Sequence, residues 1–599
     1  MAAQSNELKY DIDYELIDQK YQIVRISSSK KMKPSLLFLD SVLEEDSVLS
    51  VCYTDLNEVF VLLDSNSKAQ YSLRKAISEA NDSLSFSKVG LREIQACYLI
   101  QLFMNSLSRS TLSLFSYNNL SGHLYIIADP EKTKGKQIKT LEIKIDKECC
   151  LQSNVRTFTS KTLEKKIEFK KGKTFESYPQ YVLANNKHLK RVAKSEKNSY
   201  ILRQIRNKKE EMKFLDFGSL EKFDRSKCGI IQNTMEQFSD RYGKIIKLEF
   251  SEIVNPTTIE HKSSMTKQEK AKLKCLFRET PVRIIDFVNN ELSAELSEML
   301  IDVFALDGIN IKQGKYLKKD CYNICIIHEK EKYEEGEDPH DKIEQAGPNQ
   351  CITIETYMEI VGNKNVADSL KAIKDNVIQE LLIKDDIRAG RISTYDWAGN
   401  NYEGSWKFIE RIEENKETRY CCMTVKPDGS FVFDNYEGNL LDMNEFSKYE
   451  EAFQLNKNTV GVIEDPRGNV NCIIDTNMFT VPNLAGIKEE LTKGNNKLKN
   501  QEMREELLTS VLDVNFYKDN EDIYYYVGIA QDKLVYSSNN AILIRKIESV
   551  PGSDLVFDKL LPLMNVMFVR NGQLTVIPFP YKYIREYYMM RFETIPYIS

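Results

Sequence analysis

Histidine and tryptophan are the scarcest side chains of this 599-residue chain, with five and two copies. Histidine occurs only at positions 123, 188, 261, 328 and 340, and no GxSxG stretch accompanies it, so a nucleophile with a positioned imidazole is not expected. There is no GxxxxGK[ST] and no GxGxxG after a strand-like run, which argues against a self-contained nucleoside triphosphatase and a dinucleotide enzyme. The twelve cysteines contain no CxxC. Cys321 and Cys325 lie four apart in the strand-like CYNICIIHEK and so share a face, as buried structural thiols do. Free thiols in a large chain fit a reducing compartment. No apolar run approaches the ~20 residues that span a bilayer. The opening MAAQSNELKYDIDYELID has neither the basic nor the apolar region of a signal peptide. A cytoplasmic protein without a membrane partner is expected.

With 42% hydrophobic residues, the chain can bury several cores, and its length suggests about three or four domains. The net charge is −6, but it is unevenly spread. Residues 132–213 carry 23 Lys and Arg against 9 Asp and Glu, a balance of +14 (23 − 9). An asymmetry of that size suits a surface facing a polyanion, and a solvated lysine-rich linker is the alternative.

The fold class read from the patterns is α/β and multidomain. Residues 1–130 form a strand-rich N-terminal α+β domain, with YQIVRI, VFVLLD and HLYIIADP as strands and a helix near Leu91–Leu107. Residues 131–255 form a basic linker region. Residues 256–374 form a Rossmann-type layer: VRIIDFV, INIKQGKY, CYNICIIHE and CITIET are strands, and ELSAELSEMLIDVF is an amphipathic helix. Residues 375–599 form a run of hairpins around a helix-like segment at Gly486–Val514. KPDGS and DPRGN are turns there, EDIYYYVGIA, AILIRKIESV and LTVIPF are strands, DLVFDKLLPLM is helical, and YKYIREYYMMRF is a terminal aromatic helix.

The candidate binding residues are cationic. KQGKYLKK places Lys312, Lys315, Tyr316, Lys318 and Lys319 at and after one strand of the Rossmann-type layer. HEKEKYEE places His328, Lys330, Lys332 and Tyr333 after another, interleaved with Glu329, Glu331, Glu334 and Glu335. Ligands of α/β layers bind beyond the carboxyl ends of strands, and lysines with a tyrosine there suit a terminal phosphate on a nucleic acid. Solvated loops with scattered lysines are the alternative. Arg545, in AILIRKIESV, and Arg585, in the terminal helix, complete the set, and Arg591 follows Arg585 on that helix. The helix's aromatic residues read as core, with a stacking surface as the alternative.

Two-metal nuclease chemistry would need three or four converging carboxylates. In GVIEDPRGNVNCIIDT, Asp465 precedes a proline in a turn and Asp475 stands at a strand exit; Asp428 lies in a PDG turn. No catalytic residue is therefore assigned. A metal-dependent nuclease using Asp434, Glu437, Asp465 and Asp475 is the enzymatic alternative. A scaffold subunit, whose basic segment meets an acidic protein, is the non-enzymatic one.

The order of VRIIDFV, INIKQGKYLKK and CYNICIIHEKEKY, then SWKFIERI, FVFDNYEG, GVIEDPRGNVNCIIDT and RNGQLTVIPFPYKYIREYYMM, resembles that of a prokaryotic Argonaute. The resemblance covers residues 180–599 in outline and implies a MID-like domain followed by a PIWI-like domain of RNase H fold. No segment reads as a PAZ domain, so the branch it resembles is the catalytically inactive, PAZ-lacking one of bacterial plasmid and phage defence. That branch implies a short guide DNA or RNA, a target DNA and a separate helicase–nuclease effector. It also implies a guide 5′ phosphate at Lys312, Lys315 and Lys319, with Mg2+ as the one cofactor there.

Overall fold

Apolar runs in the sequence become strands at most of the places where they were read. The computed structural model describes residues 3–28, 48–54, 58–65, 84–109, 115–128, 137–166, 169, 172–184, 188–192, 198–203, 212–253, 257–259, 267–334, 338–340, 343, 348–361, 366–393, 397, 403–414, 417–437, 443–494, 514–519, 522–526, 543–556 and 579–591. The readings for DLVFDKLLPLM beyond Val556, for LTVIPF before Phe579 and for 495–513 lie outside these residues. Two units emerge: Met1–Thr258 with Asn477–Tyr517 and Tyr526–Ile544, and Ile259–Thr476 with Lys518–Tyr525 and Arg545–Ser599.

In the first unit, β1 (Ala3–Ile12) leads into α1 (Tyr14–Lys20), capped by Asp13, which accepts the Leu16 N–H at 2.9 Å. Strands β2 (Tyr21–Ser28), β3 (Val48–Tyr53), β4 (Val59–Asp64) and β5 (Leu84–Lys88) form an antiparallel sheet in the order β3-β4-β2-β5. Helix α2 (Ala96–Asn105) is shorter than read, because 3-10 turns at Leu91–Glu93 and Ser106–Arg109 flank it. Its buried amides join it to strands on two sides. Gln101 accepts the Ile145 N–H at 2.6 Å, and Asn105 donates to the Val51 carbonyl at 2.8 Å.

A second antiparallel sheet is built from β6 (Ser116–Leu120), β7 (His123–Ile127), β8 (Gln137–Ile145), β9 (Leu151–Ser160), β10 (Gln180–Leu183), β11 (Leu189–Val192) and β12 (Tyr200–Leu202), in the order β11-β10-β12-β9-β8-β7-β6. This corrects two readings. The boundary at 130/131 falls inside the sheet, and much of the basic segment is folded strand rather than linker. The physical reason lies in burial: in β8, Ile138, Thr140, Leu141, Glu142, Ile143 and Ile145 are buried, while Lys139 and Lys144 face solvent. Then come α3 (Leu220–Asp224), α4 (Lys227–Tyr242) and β13 (Ile246–Ile253), which pairs antiparallel with β1. The short β14 (Thr257–Ile259) follows, close to the expected division at 255/256.

The second unit contains a parallel sheet of β15 (Val282–Asp286), β16 (Ile311–Gly314), β17 (Tyr322–Ile327) and β18 (Asn349–Thr353), in the order β16-β15-β17-β18. Helices α5 (Lys267–Arg278), α6 (Glu291–Ala305), α7 (Ile354–Val361) and α8 (Val366–Ala389) share one core with the face bearing Val282, Ile284, Tyr322, Ile324 and Ile326. The opposite face carries Cys325 and Ile327, which Leu317, Phe287 and Ile343 cover. Helix α8 runs through the expected boundary at 374/375, and its stripe of Leu370, Val377, Ile378, Leu381 and Leu382 explains why it cannot be cut there.

The next five strands are antiparallel. Strands β19 (Trp406–Glu414), β20 (Glu417–Val425) and β21 (Phe431–Glu437) form a meander; α9 (Met443–Leu455) leads to the hairpin of β22 (Thr459–Glu464) and β23 (Val470–Val481). Strands β24 (Val514–Asp519) and β25 (Asp522–Tyr526) precede β26 (Leu543–Ser549), which lies beside β23. From β21 the order is β21-β20-β19-β22-β23, or third, second, first, fourth, fifth. The fourth strand runs antiparallel to the first, with Lys407 opposite Glu464, rather than parallel as a crossover helix commonly leaves it.

The terminal helix α10 (Pro580–Arg591) buries Tyr581, Tyr583, Ile584 and Tyr588, so its aromatics are core. Tyr581 donates to the Val462 carbonyl at 2.7 Å, and its ring occupies the space a side chain at Gly461 would need. A Cβ there would stand 2.6 Å from Tyr581 Cζ. Gly461→Ala is therefore expected to destabilise the protein by about 1–3 kcal/mol, as overpacking does. Urea unfolding should show a lower midpoint at unchanged slope.

Candidate nucleic-acid interface

The carboxyl edge of the parallel sheet is built on two carboxylates. Asp286, ending β15, accepts the N–H groups of Val288 and Asn289 at 2.9 and 3.0 Å and the Ser293 hydroxyl at 2.6 Å. Asn290 and Ser293 form a capping box that starts α6 at that edge. At the end of β17, His328 Nδ1 lies 2.8 Å from Glu355, its backbone N–H donates to Tyr333 Oη at 2.8 Å, and the Glu329 N–H donates to Glu355 at 3.0 Å. Burial would raise the Glu355 carboxyl, but His328 and the backbone donors outweigh it and hold it below the ordinary range. These bonds fix the turn Lys330–Lys332, whose lysines are exposed.

The lysine run after β16 is divided by the fold. Lys312 lies on β16 itself, opposite Arg283 of β15. Lys315 and Tyr316 follow Gly314 and face solvent, Tyr316 at 78% exposure. Lys318 and Lys319 are carried back toward the amino ends: Asn323, second residue of β17, accepts the Lys318 N–H at 3.1 Å and donates to its carbonyl at 2.9 Å. Arg388 donates to the Lys319 carbonyl at 3.0 Å. Of the cations read together, Lys315, Lys330 and Lys332, with Tyr316, thus extend beyond the carboxyl ends of their strands, while Lys318 and Lys319 do not. Arg545 is engaged by Asp475 on the neighbouring strand at 2.5 Å, and Arg585 by Glu410 at 2.9 Å. Neither is a free cation, and the Arg591 side chain lies outside the described ones.

The hairpin carboxylates are each held locally. Asp465 accepts the N–H groups of Arg467 and Asn469, both at 2.8 Å, which is turn chemistry. Glu464 receives the Tyr449 hydroxyl and pairs with Lys448 at 2.7 Å. Asp428 accepts the Ser430 N–H at 3.0 Å. Asp434 is exposed on β21, and the side chain of Glu437 lies outside the described ones. Among the described residues no three His, Cys, Asp or Glu gather as a metal site. Mg2+ takes octahedral oxygen ligands, usually one or two carboxylates with phosphate oxygens. Asp286 is bonded within its own turn, Glu355 to His328 and the Glu329 N–H across two strand ends, and no Mg2+ ligand set is assigned to this edge.

Two groups escaped the sequence reading. One is Arg283, the single charge inside the apolar VRII, and that interruption was the available signal. The other is a buried charged cluster between α8 and α10. Lys582 lies 2.8 Å from Glu380 and 2.7 Å from Glu586, and Asp386 accepts the Tyr583 hydroxyl at 2.7 Å and the Ser393 N–H at 3.0 Å. Burial pushes Asp386 up to about 6 despite those donors. No helix among the described residues is long and apolar enough to cross a membrane.

No family model matches the chain, and no curated protein matches it. Among solved structures, the crystal structure of Drosophila Piwi aligns over 98% of this chain and 97% of that one, at 10% identity and a TM-score of 0.40. At those values the similarity assigns no family.

Because Asp386 is raised to about 6 from an ordinary 3.8, its ionisation opposes folding. Its contribution to stability is full below about pH 4 and lost as pH rises through about 6. Tyr583→Phe removes a donor that matters most to the carboxylate. It should cost about 1.5–3 kcal/mol at pH 8 and about 0.5–1.5 kcal/mol at pH 5, read by denaturant unfolding at both pH values.

Proposed function

We propose that this protein is a guide-dependent nucleic-acid-binding target sensor, with the parallel-sheet layer holding the guide's 5′ phosphate at Lys315, Lys330 and Lys332. The observation that carries the reading is the placement of these cations, with the exposed Tyr316, beyond the carboxyl edge of that sheet. Lys312 supplies further charge from β16. The charge that offsets the phosphate comes from ammonium groups, and no metal is invoked. The positive segment at 132–213 adds exposed lysines such as Lys139 and Lys144 on β8, suited to a sugar–phosphate backbone. In this reading base pairing selects the target, and the protein grips backbone and shape.

The local engagement of Glu464, Asp465 and Asp475 supports a sensor that does not cut. A sensor of this kind needs a separate effector, and the reading places the protein in bacterial defence against invading DNA with a helicase–nuclease as partner. Purified protein is expected to carry short nucleic acid and, once stripped, to bind 5′-phosphorylated oligonucleotide at moderate salt. Replacing Lys315, Lys330 and Lys332 together by Glu should weaken that binding by about 100-fold or more, each phosphate contact being strongly electrostatic. Magnesium-dependent cleavage that Asp475→Ala abolishes would instead establish a nuclease. Absence of both copurified nucleic acid and oligonucleotide binding would end the reading.

A further inference from the structure

Among the described residues, one strand register sets two cysteines side by side: Cys325 of β17 is the partner of Cys351 of β18. Partners in a parallel sheet share a face, here the one that carries Ile327 and packs against Phe287, Leu317 and Ile343. Cys421 and Cys422, although adjacent in sequence, are successive on β20 and point to opposite faces. Neighbouring strands lie about 4.8 Å apart, within the roughly 4.4–6.8 Å between Cα atoms that a disulfide spans.

The two thiols are hydrogen-bonded to each other. That bond and burial push the Cys325 thiol up, and the Lys384 ammonium, 2.7 Å from the Asn349 carbonyl at the start of β18, opposes the rise. The pair is unequal in access. Cys325 is fully enclosed and Cys351 is half-buried, so a small oxidant reaches Cys351 first. Strand β18 is also an edge strand, paired with β17 on one side only. Two residues beyond the cysteines the ladder ends at Ile327 and Thr353, and the chain continues into His328 and Glu355, which bond to each other at 2.8 Å.

We propose that Cys325 and Cys351 form a reversible redox clamp, which closes a disulfide between β17 and β18 on exposure to hydrogen peroxide. The Cys351 sulfur, its proton released, attacks one peroxide oxygen; the O–O bond breaks, the second oxygen leaves as water, and Cys351 becomes a sulfenic acid. The Cys325 sulfur then attacks the Cys351 sulfur, the S–O bond breaks, and hydroxide departs as water with the Cys325 proton. Two thiols and one peroxide thereby give one disulfide and two waters. A dithiol reopens the bond by exchange and is itself oxidised to a disulfide. The closed clamp fastens an edge strand to its neighbour and fixes the spacing of the strand ends that lead to His328 and Glu355. It does not rest on the function proposed above.

The test treats the native full chain with hydrogen peroxide, alkylates the thiols that remain, and digests the protein without reductant. The exposed Cys275 reports that oxidant was present. Mass spectrometry should find a Cys325–Cys351 cross-link, with fragmentation excluding Cys321, and dithiothreitol should remove it. Hydrogen exchange at the amides of residues 349–353 should slow by about tenfold or more in the oxidised wild type, and recover with dithiothreitol. Cys325→Ala should stop at the Cys351 sulfenic acid, which dimedone traps. Cys351→Ala, at the half-buried position, should show neither cross-link nor slowed exchange, and it carries the test if Cys325→Ala does not fold. Peroxide that oxidises Cys275 but leaves Cys325 and Cys351 as thiols, or joins either to another cysteine, overturns the clamp. So does a cross-link that leaves exchange unchanged, or slowed exchange that persists in Cys351→Ala.

Discussion

The second unit depends on the Lys582 ammonium buried between Glu380 and Glu586. Burial disfavours its charge, but the two carboxylates outweigh that and hold it protonated. Removing one partner from a buried pair of this kind costs about 3–5 kcal/mol, because the remaining charge is left uncompensated. The geometry makes that interaction structural for everything around it. Glu380 lies on α8, whose apolar stripe backs the parallel sheet, and Lys582 lies on α10, whose Tyr581 fills the notch at Gly461 and bonds to β22. One ion triad therefore joins the helix that supports the lysine-bearing layer to the helix that locks the antiparallel sheet.

Charge elsewhere in this unit divides into groups that are engaged and groups that are not. Asp307 is shared by Lys274 and the buried Lys374, Arg545 is taken by Asp475, and Arg585 by Glu410. The hairpin acids are held by turn amides at Asp465, by Lys448 and Tyr449 at Glu464, and by Arg545 at Asp475. Lys315, Tyr316, Lys330 and Lys332 remain exposed, with Glu329, Glu331 and Glu334 exposed beside the last two. A surface of exposed cations over a rigid sheet can bind phosphates without bringing carboxylates together, and this is the physical basis for reading the protein as a binder. Drift in the lysine turns is limited because Glu355 and Asn323 pin them through His328, Tyr333 and the backbone.

Much of this was legible in the sequence. VRIID and YNICII read as strands, and the DPRGN and PDGS turns fell where glycine at φ +84 and +82 was needed. The aromatic terminal helix read correctly as core. The fate of KQGKYLKK did not, because the return of Lys318 and Lys319 to the amino ends is set by Asn323, a long-range partner that local pattern does not reveal. The basic segment was misread for a related reason: counting charge hid the residues that bury most of β8. Arg545 and Arg585 carried no mark of their partners, since Asp475 and Glu410 are distant in the chain and meet them only in the fold.

The central claim is that binding of a target depends on a guide. It is tested most directly by equilibrium binding of a labelled strand to the protein before and after loading with a 5′-phosphorylated oligonucleotide, with complementary and scrambled labels compared. The expected result is tight binding of the complementary strand to the loaded protein alone. Binding of the labelled strand that is equal for complementary and scrambled sequences, or unchanged by loading, would contradict the account.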